Sequence, residues 1–263
     1  MDITLVFQAI AIGIFCYLGS NASPWLLGET GGYHIVGKPL VAGLIIGIIL
    51  GDVTTGIILG VAVQAAFIAT MSVGGIQNTE ITYAAYGGIS LGLLTGASPG
   101  VTVTIAVGIG ILGIALQNLL MITNSGWNRR AEKSAMEGNA RGVINNNAVY
   151  PQIINFILRV PPVALAVYLG QDFVNNFLNI IPDNVIHMME VLGGLLPALG
   201  IALLMNLLLK EKSHFILFVT GFAFIIFISE SMIALTIISV LITYIIYLTH
   251  GKSNSTNEPD EVI

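Results

Sequence analysis

An apolar run from Leu40 to Met71 constrains the fold of this chain more than any other feature. Its single charged residue is Asp52, near the middle of the run. One membrane crossing takes about 20 residues, so the run is too long for one crossing and too short for two full ones. Gly51 and Asp52 suit a tight turn. The run therefore predicts a hairpin of two half-length helices that turns at these two residues.

The composition agrees with a membrane protein. Of the 263 residues, 55% are hydrophobic and 9% are charged, whereas soluble domains carry about 25% charged residues. The chain also has 30 glycines, and excess glycine is typical of closely packed membrane helices. These values argue against a water-soluble enzyme, and no basic stripe indicates a nucleic-acid partner. We predict an all-α polytopic membrane protein, a helical transporter bundle with glycine-rich, half-length or re-entrant hairpins.

Further apolar segments predict the other membrane helices. They are Ile3–Leu18, Val101–Ile122, Ile153–Leu169, Val191–Leu209, Phe215–Ile228 and Met232–Leu248. We expect a single integral membrane transport domain over residues 1–250. Within it, residues 123–150 form a hydrophilic cytoplasmic loop, and residues 251–263 follow as a disordered cytoplasmic tail.

The basic residues predict the orientation of the chain. Of the nine Lys and Arg residues, four lie in the 123–150 loop, and three more are Lys210, Lys212 and Lys252. Placing the loop in the cytoplasm puts all of these on one side, in agreement with the positive-inside rule. The C-terminus is then cytoplasmic. The side of the N-terminus and the number of crossings before Ile122 stay open.

Glycine recurs every four residues in two stretches. The first contains Gly43, Gly47 and Gly51, and the second runs from Gly88 to Gly100. On a helix this spacing makes a flat face where backbones approach closely. Two interrupted apolar segments in comparable settings indicate the binding site of a transporter. Helix packing without a substrate is the alternative.

Polar residues beside the first hairpin form the candidate substrate-binding site. Gln64 lies in an apolar run, where its amide group either binds a sugar hydroxyl or joins two helices. Ser72, Asn78 and Glu80 follow on a glycine-interrupted stretch that cannot face lipid as irregular backbone. An ionised Glu80 accepts two neighbouring hydroxyls through its two oxygens. Asp52 either contacts the substrate or caps the helix that follows it.

The other conspicuous residues do not indicate catalysis. The sequence contains no P-loop, nucleophile motif or metal-ligand spacing, so we expect no cofactor, no metal and no catalytic residue. Cys16, the single cysteine, is expected to pack as a small apolar residue. Arg159 lies inside an apolar run, just before Pro161 and Pro162, and requires a carboxylate or carbonyl partner. The sequence does not identify that partner.

The segment from Lys38 to Gln64 resembles the C component of mannose/sorbose-type enzyme II of bacterial sugar phosphotransferase systems. The core of the likeness is Leu50-Gly51-Asp52, followed by TGII from Thr55. The resemblance extends more weakly over most of the chain. It implies a non-catalytic, multi-pass subunit of the bacterial cytoplasmic membrane that forms the sugar pathway with a membrane D component, in a trimer of C–D pairs. Cytoplasmic A and B phosphocarrier components then phosphorylate the sugar.

The same resemblance also indicates which class of sugar this chain carries. The mannose-specific branch carries the pattern ExxxxxWMNIG, whereas this chain has Gln64, Thr70 and Ser72 at the Glu, Trp and Asn positions. These departures favour another hexose, a ketose or an amino sugar over mannose or glucose. The resemblance carries sugar contact over to Gln64, Ser72 and Glu80.

Two other classes of function stay open. One is an ion-coupled secondary sugar transporter acting alone, with Asp52 and Glu80 as coupling carboxylates. The other is a membrane scaffold or toxin-binding surface without transport. The energy source separates the first class from a phosphotransferase system, because only the latter requires phosphoenolpyruvate. The identity of the sugar and the share of the site contributed by the D component stay open.

Overall fold

The computed structural model describes residues 3–68, 79–180, 182–209, 212–227 and 231–254, which form helices and short turns without any strand. The α-helices are α1 (Ile3–Leu18), α2 (Pro39–Leu50), α3 (Val53–Ala66), α4 (Ile81–Tyr83), α5 (Ile89–Thr95), α6 (Pro99–Met136), α7 (Ala140–Ile144), α8 (Tyr150–Ile180), α9 (Asp183–Leu208), α10 (Lys212–Phe227) and α11 (Met232–Asn254). Wider, π-helical turns cover Glu29–Val36, Ala84–Gly88 and Asn145–Val149. The all-α prediction is confirmed.

Full-length and half-length apolar helices occur together. By length and composition, the segments that suffice to cross a membrane are Pro99–Met136, Ala140–Gly170 and Asn184–Asn206. The π-helical turn at Glu29–Val36 and α2 make a fourth candidate, bent by 73°. Other apolar helices, including α1 and α3, are shorter. This mixture is the one that the interrupted apolar runs predict.

The first hairpin turns where the sequence predicts. Gly51 ends α2 with φ at 90°, in the left-handed region that glycine adopts without strain. Asp52 then begins α3, and its carboxylate accepts a hydrogen bond from the Thr55 amide at 3.0 Å. The capping interpretation of Asp52 is confirmed.

Glycines hold α2 and α3 in close contact. A Cβ atom at Gly56 would lie 2.8 Å from the Cα atom of Gly47, and one at Gly60 would lie 2.8 Å from the carbonyl oxygen of Pro39. Both distances are shorter than van der Waals contact, so side chains at these positions would separate the helices. The predicted close approach of the two backbones is therefore confirmed for the first hairpin.

The second glycine run makes contacts with more than one element. A Cβ atom at Gly88 would lie 2.5 Å from the Cα atom of Ala106 on α6. Gly96 ends α5 in the left-handed conformation. A Cβ atom at Gly100 would lie 2.7 Å from the carbonyl oxygen of Glu190 on α9. The second run therefore packs closely too. Its contacts join α6 to two different elements, the π-helical turn Ala84–Gly88 and α9.

The hydrophilic stretch 123–150 is largely helical. α6 continues to Met136, beyond the predicted end of its span at Ile122. The added turns contain Ala, Arg, Glu and Lys, which are strong helix formers, so a polar composition does not interrupt the helix. Gly138, with φ at 68°, follows the helix. Asn139 then caps α7 by accepting a hydrogen bond from the Gly142 amide at 3.0 Å.

The later helices are also longer than their apolar cores. α8 extends to Ile180 and α9 begins at Asp183, so most of the polar segment between the two predicted spans is helical. α11 reaches Asn254, inside the predicted tail. Residues 255–263 lie outside the described part of the chain.

The chain divides into two compact units, Met1–Leu204 and Met205–Ile263. In the first, α1 packs along α8, where a Cβ atom at Gly13 would lie 2.7 Å from the Val160 carbonyl oxygen. The buried core of this unit is built from helices α1 to α6 and α8. In the second unit, α10 contacts α11.

Candidate functional site

Gln64 lies in the last turn of α3, which ends at Ala66. Its side-chain oxygen Oε1 is buried and accepts no hydrogen bond in the described structure. Leaving a buried acceptor unpaired costs about 1–3 kcal/mol, so this oxygen is suited to a donor from a ligand or from water. The helix–helix hydrogen bond that was the alternative for Gln64 is not formed through this atom.

Two predicted site residues, Ser72 and Asn78, lie outside the described residues. Their contact with the sugar stays a prediction. The described chain resumes at Thr79, and its next residue, Glu80, is 2% exposed. Gln64 and Glu80 therefore lie before and after the undescribed residues 69–78 along the chain.

Glu80 begins α4, and both of its carboxylate oxygens have partners. Oε2 accepts hydrogen bonds from the Tyr83 amide at 2.9 Å and from the Thr82 hydroxyl at 2.6 Å. Oε1 accepts a hydrogen bond from Nη2 of Arg159 at 2.9 Å. A carboxylate offers about four acceptor positions, so these contacts leave about one position for a further donor.

Glu80 is the carboxylate partner of Arg159 that the sequence does not identify. The Arg159 side chain on α8 is 1% exposed. Nε donates to Oδ1 of Asn155 at 3.0 Å, and Nη2 donates to Oε1 of Gln117 at 2.9 Å. Nη1 donates to the Thr82 hydroxyl. The guanidinium group thus joins α8 to α6 and to the start of α4.

Aromatic and polar contacts extend this cluster. The guanidinium carbon of Arg159 lies 4.8 Å from the centre of the Tyr83 ring, a favourable cation–π distance. Nδ2 of Asn155 donates to the hydroxyl of Ser20, which follows α1, at 3.2 Å. The cluster therefore connects α1, α4, α6 and α8 within one unit. Removing one partner of a buried ion pair typically costs about 3–5 kcal/mol.

Most members of this cluster are not predicted from the sequence. Thr82, Gln117 and Asn155 are each nearly or fully buried. Asn155 precedes Arg159 by one helical turn, and residues at that spacing lie on the same helix face. Gln117 is an amide inside the apolar α6. Such isolated polar side chains on apolar helices were the available signal, but pairing them requires the tertiary fold.

Asp52 is not brought to this cluster. Asp52 and Gln64 stand at opposite ends of α3, about 18 Å apart at 1.5 Å per residue. One sugar ring does not span that distance, so contact of Asp52 with the sugar stays a prediction separate from the Gln64 position.

The family model for the sorbose-specific IIC component of phosphotransferase systems matches residues 6–245. The mannose-specific EIIC component of Escherichia coli K12 is 25% identical over 258 residues, which cover 97% of this chain and 92% of that protein. N-acetylgalactosamine permease IIC component 1 of the same organism is 28% identical over 201 residues, covering 74% of this chain and 72% of the relative.

Solved structures show the same fold. One, described as a membrane protein, superposes with a TM-score of 0.78 at 22% identity and covers 95% of this chain and 96% of its own. A second is a complex of the mannose transporter ManYZ with microcin E492, with a TM-score of 0.56 at 22% identity and the same coverage. These chains share the helical membrane architecture described above. With the match over residues 6–245, the chain belongs to the family of sorbose-specific IIC components, multi-pass membrane subunits of sugar phosphotransferase systems.

Proposed function

We propose that this chain and a membrane D component together form a sugar translocation pathway, and that the sugar is delivered to a B component for phosphorylation. The observation that supports the proposal is the buried Oε1 of Gln64 in the last turn of α3, which accepts no hydrogen bond from the described residues. A sugar hydroxyl supplies the missing donor. Because the chain belongs to this family, we propose phosphoenolpyruvate as the energy source and a membrane D component as the partner.

The polar side chains before and after residues 69–78 in the sequence suit a neutral, hydroxyl-rich substrate. Gln64 offers an amide oxygen, and Glu80 has about one acceptor position left after its three intramolecular hydrogen bonds. Ser72 and Asn78 are the further proposed contacts on the chain between them. Hydrogen-bonding side chains of this kind bind hydroxyl groups without requiring a charged substrate.

The proposed partners follow the family assignment. The D component lies in the membrane beside this chain, and three C–D pairs form the complex. Cytoplasmic A and B components carry the phosphoryl group. Co-expression with the D component and measurement of the mass of the purified complex test the pairing and the number of copies.

The proposed location is the bacterial cytoplasmic membrane with the C-terminus in the cytoplasm. The four basic residues in 123–150, together with Lys210, Lys212 and Lys252, support this orientation. A reporter that is active only in the cytoplasm, fused after Ile263, tests it. Activity supports the orientation, and activity of a periplasmic reporter at the same position contradicts it.

Uptake into membrane vesicles tests the mechanism. The vesicles contain the C–D complex and the soluble phosphocarrier proteins, and the sugars are those in the names of relatives: mannose, sorbose, fructose and N-acetylgalactosamine. We expect accumulation of a phosphorylated sugar that requires phosphoenolpyruvate and survives collapse of the proton gradient. Uptake that requires the gradient but not phosphoenolpyruvate supports the ion-coupled alternative instead.

A further inference from the structure

Three consecutive apolar side chains are exposed in the loop that follows α1. Trp25 is 59% exposed, Leu26 is 47% exposed and Leu27 is 88% exposed. A run of three exposed apolar residues is unfavourable in water unless it serves a function. The sequence from Gly19 to Gly28 contains no charged residue that would favour water around the loop. The loop therefore requires an apolar surface that covers these side chains.

The backbone holds the two leucines in a strained conformation. The φ angle is 54° at Leu26 and 64° at Leu27, in the left-handed region that bulky residues rarely adopt. Gly28 completes the turn, and its amide donates to the carbonyl oxygen of Trp25 at 3.0 Å. Strain of this kind persists only where the surrounding structure compensates for it, and it is concentrated at functional contacts.

Hydrogen bonds place this loop beside the start of the apolar part of α8. The hydroxyl of Tyr17, in the last turn of α1, donates to Oε1 of Gln152 at 3.0 Å. Nε2 of Gln152 donates to the carbonyl oxygen of Ala22 at 2.6 Å. Gln152 comes shortly after the hydrophilic stretch 123–150 and directly before the apolar segment 153–169. The loop thus lies at the membrane boundary, on the same side as the hydrophilic stretch.

Aromatic contacts make the loop continuous with the apolar outer surface of α8. The Tyr17 ring packs edge-on against Phe156, with 5.4 Å between the ring centres, and Phe156 is 42% exposed. The indole nitrogen of Trp25 donates to the Tyr17 hydroxyl at 2.9 Å. Because this polar group already has a partner, the indole ring can contact lipid without leaving an unpaired donor. Trp and Tyr are enriched at the membrane–water boundary for this reason.

We propose that Trp25, Leu26 and Leu27 form an interfacial anchor that binds phospholipid on the side of the membrane where residues 123–150 lie. The anchor reaches the boundary between headgroups and acyl chains and goes no deeper, because irregular backbone in the hydrocarbon region would leave its polar groups unpaired. At the boundary, water pairs with the backbone while the three side chains contact the acyl chains. The inference rests on the membrane fold and is independent of the sugar pathway.

The fluorescence of Trp25 in the reconstituted C–D complex tests the anchor. The chain has two tryptophans, Trp25 and Trp127. Subtracting the emission of a Trp25→Phe/Trp127→Phe complex from that of a Trp127→Phe complex therefore isolates Trp25. The vesicles contain phosphatidylcholine brominated either near the headgroup or near the chain ends, and iodide is the quencher in water.

We expect bromines near the headgroup to reduce the emission of Trp25 more than bromines near the chain ends, and iodide to have little effect. Quenching by iodide alone places the loop in water and overturns the inference. If neither bromine position nor iodide reduces the emission, the D component covers the loop, and the inference is overturned as well.

A polarity-sensitive fluorophore at position 27 tests the leucines directly, with position 144 as the matched control. Leu27 and Ile144 are both exposed, but Ile144 lies in the hydrophilic stretch 123–150. Cys16 is 0% exposed, so a thiol-reactive fluorophore attaches to Leu27→Cys or Ile144→Cys, and the unsubstituted complex gives the background. At equal amounts of assembled complex, we expect brominated lipid to quench the label at position 27 and iodide to quench the label at position 144. Equal responses at the two positions contradict the inference.

Discussion

The hydroxyl group of Tyr83 donates a hydrogen bond to the backbone carbonyl oxygen of Leu158 at 2.9 Å. In an α-helix that carbonyl would accept from the amide of residue 162, but Pro162 has no amide hydrogen. The Tyr83 hydroxyl thus replaces the amide donor that Pro162 lacks. The same ring lies against Arg159, the next residue of α8. Pro162 in α8 is therefore matched by Tyr83 of α4, which supplies a hydrogen-bond donor to the same turn.

Replacing Tyr83 by Phe tests this relationship. The ring and its contact with Arg159 are retained, and the donor to Leu158 is lost. We expect the free energy of unfolding to fall by about 1–2 kcal/mol, the usual effect of one part-buried hydrogen bond. The measurement is thermal or denaturant unfolding of the purified complex.

A double-mutant cycle with Pro162→Ala gives the control. Alanine restores a helical amide opposite the Leu158 carbonyl, so Tyr83→Phe is expected to have a smaller effect in that background. Equal effects of Tyr83→Phe in both backgrounds contradict the account, because the hydrogen bond to Leu158 would then be independent of the proline.

The glycine contact between α2 and α3 predicts a strong effect of one methyl group. In Gly56→Ala the new Cβ atom meets the backbone of Gly47 at 2.8 Å, so we expect a loss of about 1–3 kcal/mol from overpacking. Gly108→Ala is the matched control. It lies on α6, where an added Cβ atom would have no described atom within 4 Å, and alanine is favoured over glycine in a helix by about 0.5–1 kcal/mol. Comparable thermal midpoints for the two variants contradict the close helix contact.

Two variants separate the capping role of Asp52 from any role of its negative charge. Asp52→Ser keeps a side-chain acceptor for the Thr55 amide and removes the charge, whereas Asp52→Ala removes both. If Asp52 acts only as a cap, the serine variant keeps wild-type uptake and thermal midpoint, and the alanine variant lowers the midpoint slightly. Loss of uptake in the serine variant, at normal protein amount, supports a substrate-binding or ion-coupling role for the carboxylate instead.

The turn of the first hairpin could be predicted because its cause is local. A run of this length with one internal charge has few ways to satisfy its backbone in a membrane, and Gly51 and Asp52 supply a helix end and a helix start. The close contact of α2 and α3 followed from the four-residue spacing of glycine. Both features depend on residues that are near one another in the sequence.

The cluster around Arg159 could not be predicted in the same way. The sequence indicates that Arg159 needs a partner, but Glu80 lies on a different element, and many arrangements of the helices satisfy the same apolar patterns. Similarly, the polar residues after Ile122 indicate a segment outside the membrane, but they do not indicate that α6 continues to Met136. Polarity reports the environment of a segment, and helix propensity decides its conformation.

The central claim is that Gln64 binds the sugar, and uptake by Gln64→Ala tests it most directly. Gln8→Ala is the control, because Nε2 of Gln8 donates to the Ile49 carbonyl oxygen at 2.7 Å and so already serves a contact between helices. We predict that Gln64→Ala raises the half-saturating sugar concentration by about tenfold or more, whereas Gln8→Ala leaves that concentration unchanged. A wild-type half-saturating concentration for Gln64→Ala in a fully assembled complex would contradict the account.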